Sequence, residues 1–103
     1  MIPLIVEKTE EINRLCVKYR VKSLEVFGTA ASDEFNPESS DIDFLVEFLP
    51  LEPKEHADSY FSLIEDLEIV LKKQIDLVEV KAINNPYLLE SINHAREVVY
   101  RAA

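Results

Sequence analysis

Two strand-like segments joined by one long helical stripe constrain this chain more than any other feature. From Asp41 to Phe48, Ile42, Phe44, Val46 and Phe48 fall on one face of an extended segment, and Asp41, Asp43, Leu45 and Glu47 on the other. Pro50 and Pro53 punctuate a loop, after which Tyr60, Leu63, Ile64, Leu67, Val70 and Leu71 form a helical stripe reaching about Lys73; Gln74 to Val80 then reads as another strand. Strands connected through a helix of that length pair in parallel, so their starting ends lie side by side. Asp41 and Asp43 stand at the start of one strand and Asp76 near the start of the other. The topology therefore gathers three carboxylates at one edge.

The remaining segments fit around this unit. Ile5, Ile12, Leu15, Cys16 and Tyr19 recur at helical spacing between about Pro3 and Arg20, opposite Glu7, Glu10, Glu11, Arg14 and Lys18. Ser23 to Phe27 alternates as a short strand ending at Gly28, the only glycine, and Thr29 to Ser39 reads as a helical turn followed by loop. Asn85 and Pro86 suit the N-cap and first position of a last helix running to about Ala95, and Val98 to Tyr100 fits either its extension or a short strand. The expected architecture is one α/β domain over residues 1–103, of the α+β kind, with three to four strands flanked by helices.

Composition narrows the function classes. With 48% hydrophobic and 30% charged residues the chain reads as globular. A net charge of -9 argues against direct binding of DNA or RNA, because no basic stripe is available for a phosphate backbone, and a bound nucleotide would need metal counterions. The single cysteine, Cys16, cannot form an internal disulfide and reads as a buried thiol. The charged amino-terminal segment lacks the pattern of a signal peptide and no uncharged run is long enough for a membrane span, so the expectation is a cytoplasmic protein.

Residues i and i+2 of a strand point the same way about 6.5 to 7 Å apart, so Asp41 and Asp43 can converge on metal ions about 3.5 to 4 Å apart. Three acids without a basic neighbour repel one another, and magnesium relieves that repulsion while still accepting substrate phosphates. The bland alternative is a solvated strand entrance. Against it stands Phe27-Gly28-Thr29, where the glycine permits close backbone approach before a hydroxyl and a helix start, a turn suited to cradling phosphates.

Val26-Phe27-Gly28-Thr29 followed by Ser40-Asp41-Ile42-Asp43-Phe44-Leu45-Val46, with the later acid in Gln74-Ile75-Asp76-Leu77-Val78 and the closing Asn85-Pro86-Tyr87-Leu88-Leu89-Glu90-Ser91-Ile92, resembles the minimal nucleotidyltransferase (MNT) group of the DNA polymerase beta superfamily. The resemblance covers nearly the whole chain and implies the nucleotidyltransferase fold with a small mixed sheet. It further implies that Asp41, Asp43 and Asp76 hold two magnesium ions, that Gly28 and Thr29 hold the phosphates of a nucleoside triphosphate such as ATP, and that Asp76 can accept the proton of an attacking hydroxyl. Stand-alone members of the group pair with a HEPN-domain protein and act as the antitoxin that transfers AMP to a tyrosine of a HEPN ribonuclease toxin, which implies an assembly with that partner.

Many relatives read Gly-Ser-x-Ala-Arg-Gly where this chain has Gly28-Thr29-Ala30-Ala31-Ser32-Asp33. The hydroxyl stays, the arginine is missing, and Asp33 at about 6 Å from a phosphate would add about 3 kcal/mol of repulsion at an effective dielectric of 20. A catalytically inactive module that neutralises a partner by binding is therefore a second reading, and transfer to a small molecule or an RNA end is a third. Val98, Val99 and Tyr100 read first as an edge of the core, with a docking surface as the alternative. His56 and His94 read as solvated, Tyr19 and Tyr60 as core, and Glu47, on the face of Asp43, as a candidate supporting residue.

Overall fold

A computed structural model describes residues 1–31 and 41–103; Ser32, Asp33, Pro37 and Ser40 lie outside the described residues, as do the side chains of Ser91 and His94. Among the described residues four strands, β1 (Val21–Phe27), β2 (Ile42–Phe48), β3 (Ile75–Glu79) and β4 (Arg96–Arg101), form one sheet in the order β3-β2-β1-β4. β2 and β3 pair in parallel, as the long connecting helix requires, while β1 runs antiparallel to both β2 and β4. The carboxyl-terminal segment left open by the sequence is thus a strand: Val99 and Tyr100 pack against the core, and Val98 is exposed at 45%.

The expected first helix is two, α1 (Pro3–Glu7) and α2 (Thr9–Lys18), separated at Lys8. Thr9 explains the break, because its hydroxyl donates to the carbonyls of Ile5 at 3.0 Å and Val6 at 2.9 Å, turning a side chain onto backbone acceptors of the preceding turn. Arg20 adopts a left-handed φ of 57° and turns the chain into β1, which starts two residues earlier than the alternation suggests. α3 (Pro53–Leu71) ends at Lys72, whose left-handed φ of 54° lets its N–H reach the Glu68 carbonyl at 2.8 Å.

α3 buries Leu63, Leu67 and Leu71, at a spacing of four, against Ile42, Phe44 and Val46 of β2 and Leu77 of β3. Each such leucine contributes roughly 1.5 to 3 kcal/mol on removal from water. α2 adds Ile12 and Cys16 to the same core, and burial pushes the Cys16 thiol up to about 12, so it packs as an apolar group. Tyr19 and Tyr60 sit at the margin of this core, as expected, and both find acceptors: Tyr19 donates to Asp66, and Tyr60 to the Leu77 carbonyl at 2.5 Å.

The opposite face of the sheet is not left to solvent. α4 (Pro86–His94) is capped by Asn85, whose Oδ1 accepts from the N–H of Tyr87 at 2.9 Å and of Leu88 at 3.4 Å. It drives Ile92 between Phe27 and Leu45, making a second, smaller core flanked by Val78 and Ile83. Leu45, which alternation places with the acids, is buried for this reason. Ile92→Ala is expected to destabilise the protein by about 2 to 5 kcal/mol, whereas Ile69→Ala, at a position 72% exposed, stays within about 0.5 kcal/mol; urea unfolding midpoints at constant slope measure both.

Candidate active site at the parallel strand edge

The parallel ladder begins where the N–H of Ile42 donates to the Gln74 carbonyl at 3.0 Å, and this fixes Ile42 opposite Ile75 and Asp43 opposite Asp76. Residues paired across neighbouring strands point to the same face, about 4.8 Å apart. Asp43 and Asp76 therefore stand side by side, and Asp41 lies one residue ahead of β2. Asp41 and Asp76 are exposed and Asp43 is half-buried.

Asp43 feels both neighbours. Burial first, then the charge of Asp76, then that of Asp41, push its carboxyl up to about 6. Among the described residues no three His, Cys, Asp or Glu side chains already close into a metal cage. The donor chemistry nevertheless fits magnesium, which takes hard oxygen ligands and is commonly held by one or two carboxylates together with substrate phosphates and water.

On its other side β2 pairs with β1, setting Phe27 opposite Asp43, so the residue that follows, Gly28, arrives against the Asp43 carboxylate. Gly28 has φ +70°, and a Cβ added there would stand 2.8 Å from Asp43 Oδ2. Two separate demands, a left-handed backbone and the closeness of a carboxylate, make glycine necessary here. Thr29 follows, half-buried, in a 3-10 turn over Gly28–Ala31. The turn is tied down at Ala30, which is buried and whose carbonyl accepts the Ile2 N–H at 3.1 Å. The structure thus brings Gly28, Thr29, Asp41, Asp43 and Asp76 to one edge of the sheet.

Other expectations need correction. Glu47 lies four residues along β2 from Asp43, about 13 Å at strand rise, and pairs with Lys22 at 3.8 Å, so it does not support the acids. His56 is not simply solvated: it pairs with Glu79 at the far end of β3 and its ring lies 5.0 Å from that of Phe48. Of the positions where the loop departs from that of many relatives, Ala31 ends the 3-10 turn, while Ser32 and Asp33 lie outside the described residues.

Two features escaped sequence reading. Tyr60 packs as core, yet its bond to Leu77 ties α3 to β3 one residue beyond Asp76, and burial, then Glu79, then Asp76 raise its hydroxyl above the usual tyrosine value. Glu25, buried in β1 on the face of Asp43, meets Arg96 Nε at 2.8 Å and Arg101 at 3.3 Å, both from β4. A charge between the apolar residues Leu24 and Val26 was the available signal, but its partners lie some 70 residues away.

The sequence profile of the family described as Nucleotidyltransferase domain matches residues 8–99. Two proteins of Methanocaldococcus jannaschii, each named provisionally as a protein adenylyltransferase, are 44% identical over 75 residues, spanning 73% of this chain and 73% and 72% of theirs. A solved structure described provisionally as a minimal nucleotidyltransferase superposes with a TM-score of 0.70 at 26% identity over 89% of each chain. A chain of a toxin-antitoxin crystal structure with AMP-PNP superposes at 0.69 with 18% identity, covering 91% of this chain and 73% of that one. A chain from the complex of a tri-AMPylated Shewanella oneidensis HEPN toxin with MNT antitoxin superposes at 0.64 with 16% identity, covering 95% and 73%. These last two likenesses show a shared fold.

Gly28→Ala is expected to cost at least about 1 kcal/mol, since the left-handed backbone alone costs roughly that much and the Asp43 carboxylate must also move; equilibrium unfolding reads it. A carboxyl raised in the folded state makes stability fall as pH rises from its unfolded value near 4 to about 6. Asp43→Asn removes that loss, so in metal-free buffer its melting temperature should exceed that of the parent protein at pH 7 and match it near pH 4.

Proposed function

This chain belongs to the nucleotidyltransferase domain family, and from that premise we propose that it transfers AMP from ATP to a hydroxyl on a partner protein, a HEPN ribonuclease toxin that it restrains as antitoxin. The observation that carries the reading is the register match of Asp43 with Asp76, with the glycine turn lying directly on the Asp43 carboxylate. The protein acceptor is suggested by the names of the Methanocaldococcus relatives, and the HEPN partner by the Shewanella complex.

In this reading the backbone at Gly28 and the Thr29 hydroxyl orient the outgoing phosphates. Asp41 and Asp43 would hold both magnesium ions, and Asp76 would complete the site of the ion that activates the acceptor. Magnesium, when bound, offsets the combined charge of phosphates and carboxylates and favours ionisation of the acceptor hydroxyl. The acceptor oxygen forms a bond to the α-phosphorus, the bond from that phosphorus to the bridging oxygen of the β-phosphate breaks, and pyrophosphate leaves. Asp76 would accept the acceptor proton. An acid raised toward neutrality without a cation, as Asp43 is, also fits a site completed by metal and nucleotide together.

One observation favours a binding module without catalysis: no lysine or arginine occurs from residue 23 to 53, so the turn and the strand of the first two acids carry no cation for phosphates. Incubation of the protein and a HEPN partner with magnesium and α-phosphate-labelled ATP separates the two. Label on the partner, reduced at least about a hundredfold in Asp43→Asn and in Asp76→Asn, is the expected result. Neutralisation of the partner that survives Asp43→Asn, with no label and no bound ATP, would establish the binding module instead.

A further inference from the structure

The shortage of cations around the turn has an answer in β4. Arg96, the first residue of that strand, pairs in register with Phe27, the residue immediately before Gly28. Arg96, Phe27, Asp43 and Asp76 thus form one row across the sheet, on one face, with the turn rising from β1 between the arginine and the acids. The 3-10 turn itself rests against β4. Lys73, the cation nearest the acids in sequence on the other side, precedes β3, across β2 from the turn.

Resting on the nucleotidyltransferase reading above, we propose that Arg96 is a substrate-contact residue: its guanidinium turns from Glu25 to the β- and γ-phosphates held at Gly28 and Thr29, supplying the cation that the loop lacks. Three details of the pairing make Arg96, rather than its neighbour, the arginine that moves. Glu25 is held twice, and Arg101 Nη2 donates an aligned hydrogen bond to its Oε1 at 3.3 Å. Glu25 Oε2, by contrast, accepts no aligned hydrogen bond among the described residues, although Arg96 Nε stands 2.8 Å away, so that contact is charge without direction. Losing it leaves the buried carboxylate still paired, which limits the penalty of the move.

Reach is not a barrier. Glu25 lies two residues back along β1 from the partner of Arg96, whereas Gly28 lies one residue forward, so the side chain spans no more on turning the other way. Its Nη1 also donates to Asn93 Oδ1 of α4 at 2.8 Å, which holds the guanidinium back from the turn and links its release to the end of that helix. An arginine suits this task better than a lysine, because its planar fork can meet two phosphate oxygens together.

The test measures dissociation constants of magnesium-ATP and of AMP, with melting temperatures, for the parent protein, Arg96→Ala, Arg96→Lys and Arg101→Ala. AMP lacks the phosphates Arg96 would meet. The expected result is about a tenfold loss of ATP affinity in Arg96→Ala, a smaller loss in Arg96→Lys, unchanged AMP affinity in both, and unchanged ATP affinity in Arg101→Ala. A merely structural clamp on Glu25 predicts instead that Arg96→Ala and Arg101→Ala behave alike; that result, or ATP affinity unchanged in both Arg96 variants, overturns the proposal while leaving the function intact. A parent protein that binds no ATP overturns the function and this proposal together.

Discussion

The parallel pairing of β2 with β3 is an arrangement that electrostatics alone would reject. It sets Asp43 beside Asp76, and two carboxylates about 5 Å apart repel by roughly 3 kcal/mol at an effective dielectric of 20. What holds the register is burial. α3 can lay Leu63, Leu67 and Leu71 on the sheet only if Ile42, Phe44 and Val46 face it together with Leu77, and three buried leucines at roughly 1.5 to 3 kcal/mol each outweigh the repulsion. A one-residue slip would turn Leu77 outward and exchange a core for a surface. The acids are thus brought together by leucines on the far face of the same sheet.

Stability is consequently uneven across the molecule. The α3 side is a thick core to which α1, α2 and all four strands of the sheet contribute, while the acid side is roofed by one nine-residue helix in which Ile92 is the fully buried anchor among the described residues. Tyr87, Leu88 and Leu89 of that helix stay exposed. A thin roof opens at lower cost than the core behind it, and elements that must admit a substrate are drawn from that weaker end of the stability range. The strand pair can remain rigid while the helix above it adjusts.

Much of this was legible in the order of residues. The apolar face at 42–48, the leucine stripe of α3 and the Asn85-Pro86 start are local patterns; each predicted its element, and the first two predicted the parallel pair that sets Asp43 beside Asp76. What stayed hidden depended on distant partners. β4 reads ambiguously because Val98, Val99 and Tyr100 make sense as a strand only beside β1, about 75 residues earlier. The burial of Leu45 needs Ile92, and the pairing of His56 needs Glu79. The break at Lys8 is local, but it follows from a threonine hydroxyl competing for backbone carbonyls, an effect that apolar periodicity does not register.

The contact between Gly28 and Asp43 also orders the routes by which such a site can decay. While the carboxylate is present, any side chain at position 28 must displace it and accept a left-handed backbone at once. Once the acid is lost to a smaller residue, the steric half of that restriction disappears and only the backbone cost remains. Substitution at the acid therefore opens a path at the glycine, whereas substitution at the glycine first meets both penalties. A lineage that abandons the chemistry but keeps the fold should shed the carboxylate before the glycine, because the left-handed backbone continues to favour glycine after the acid has gone.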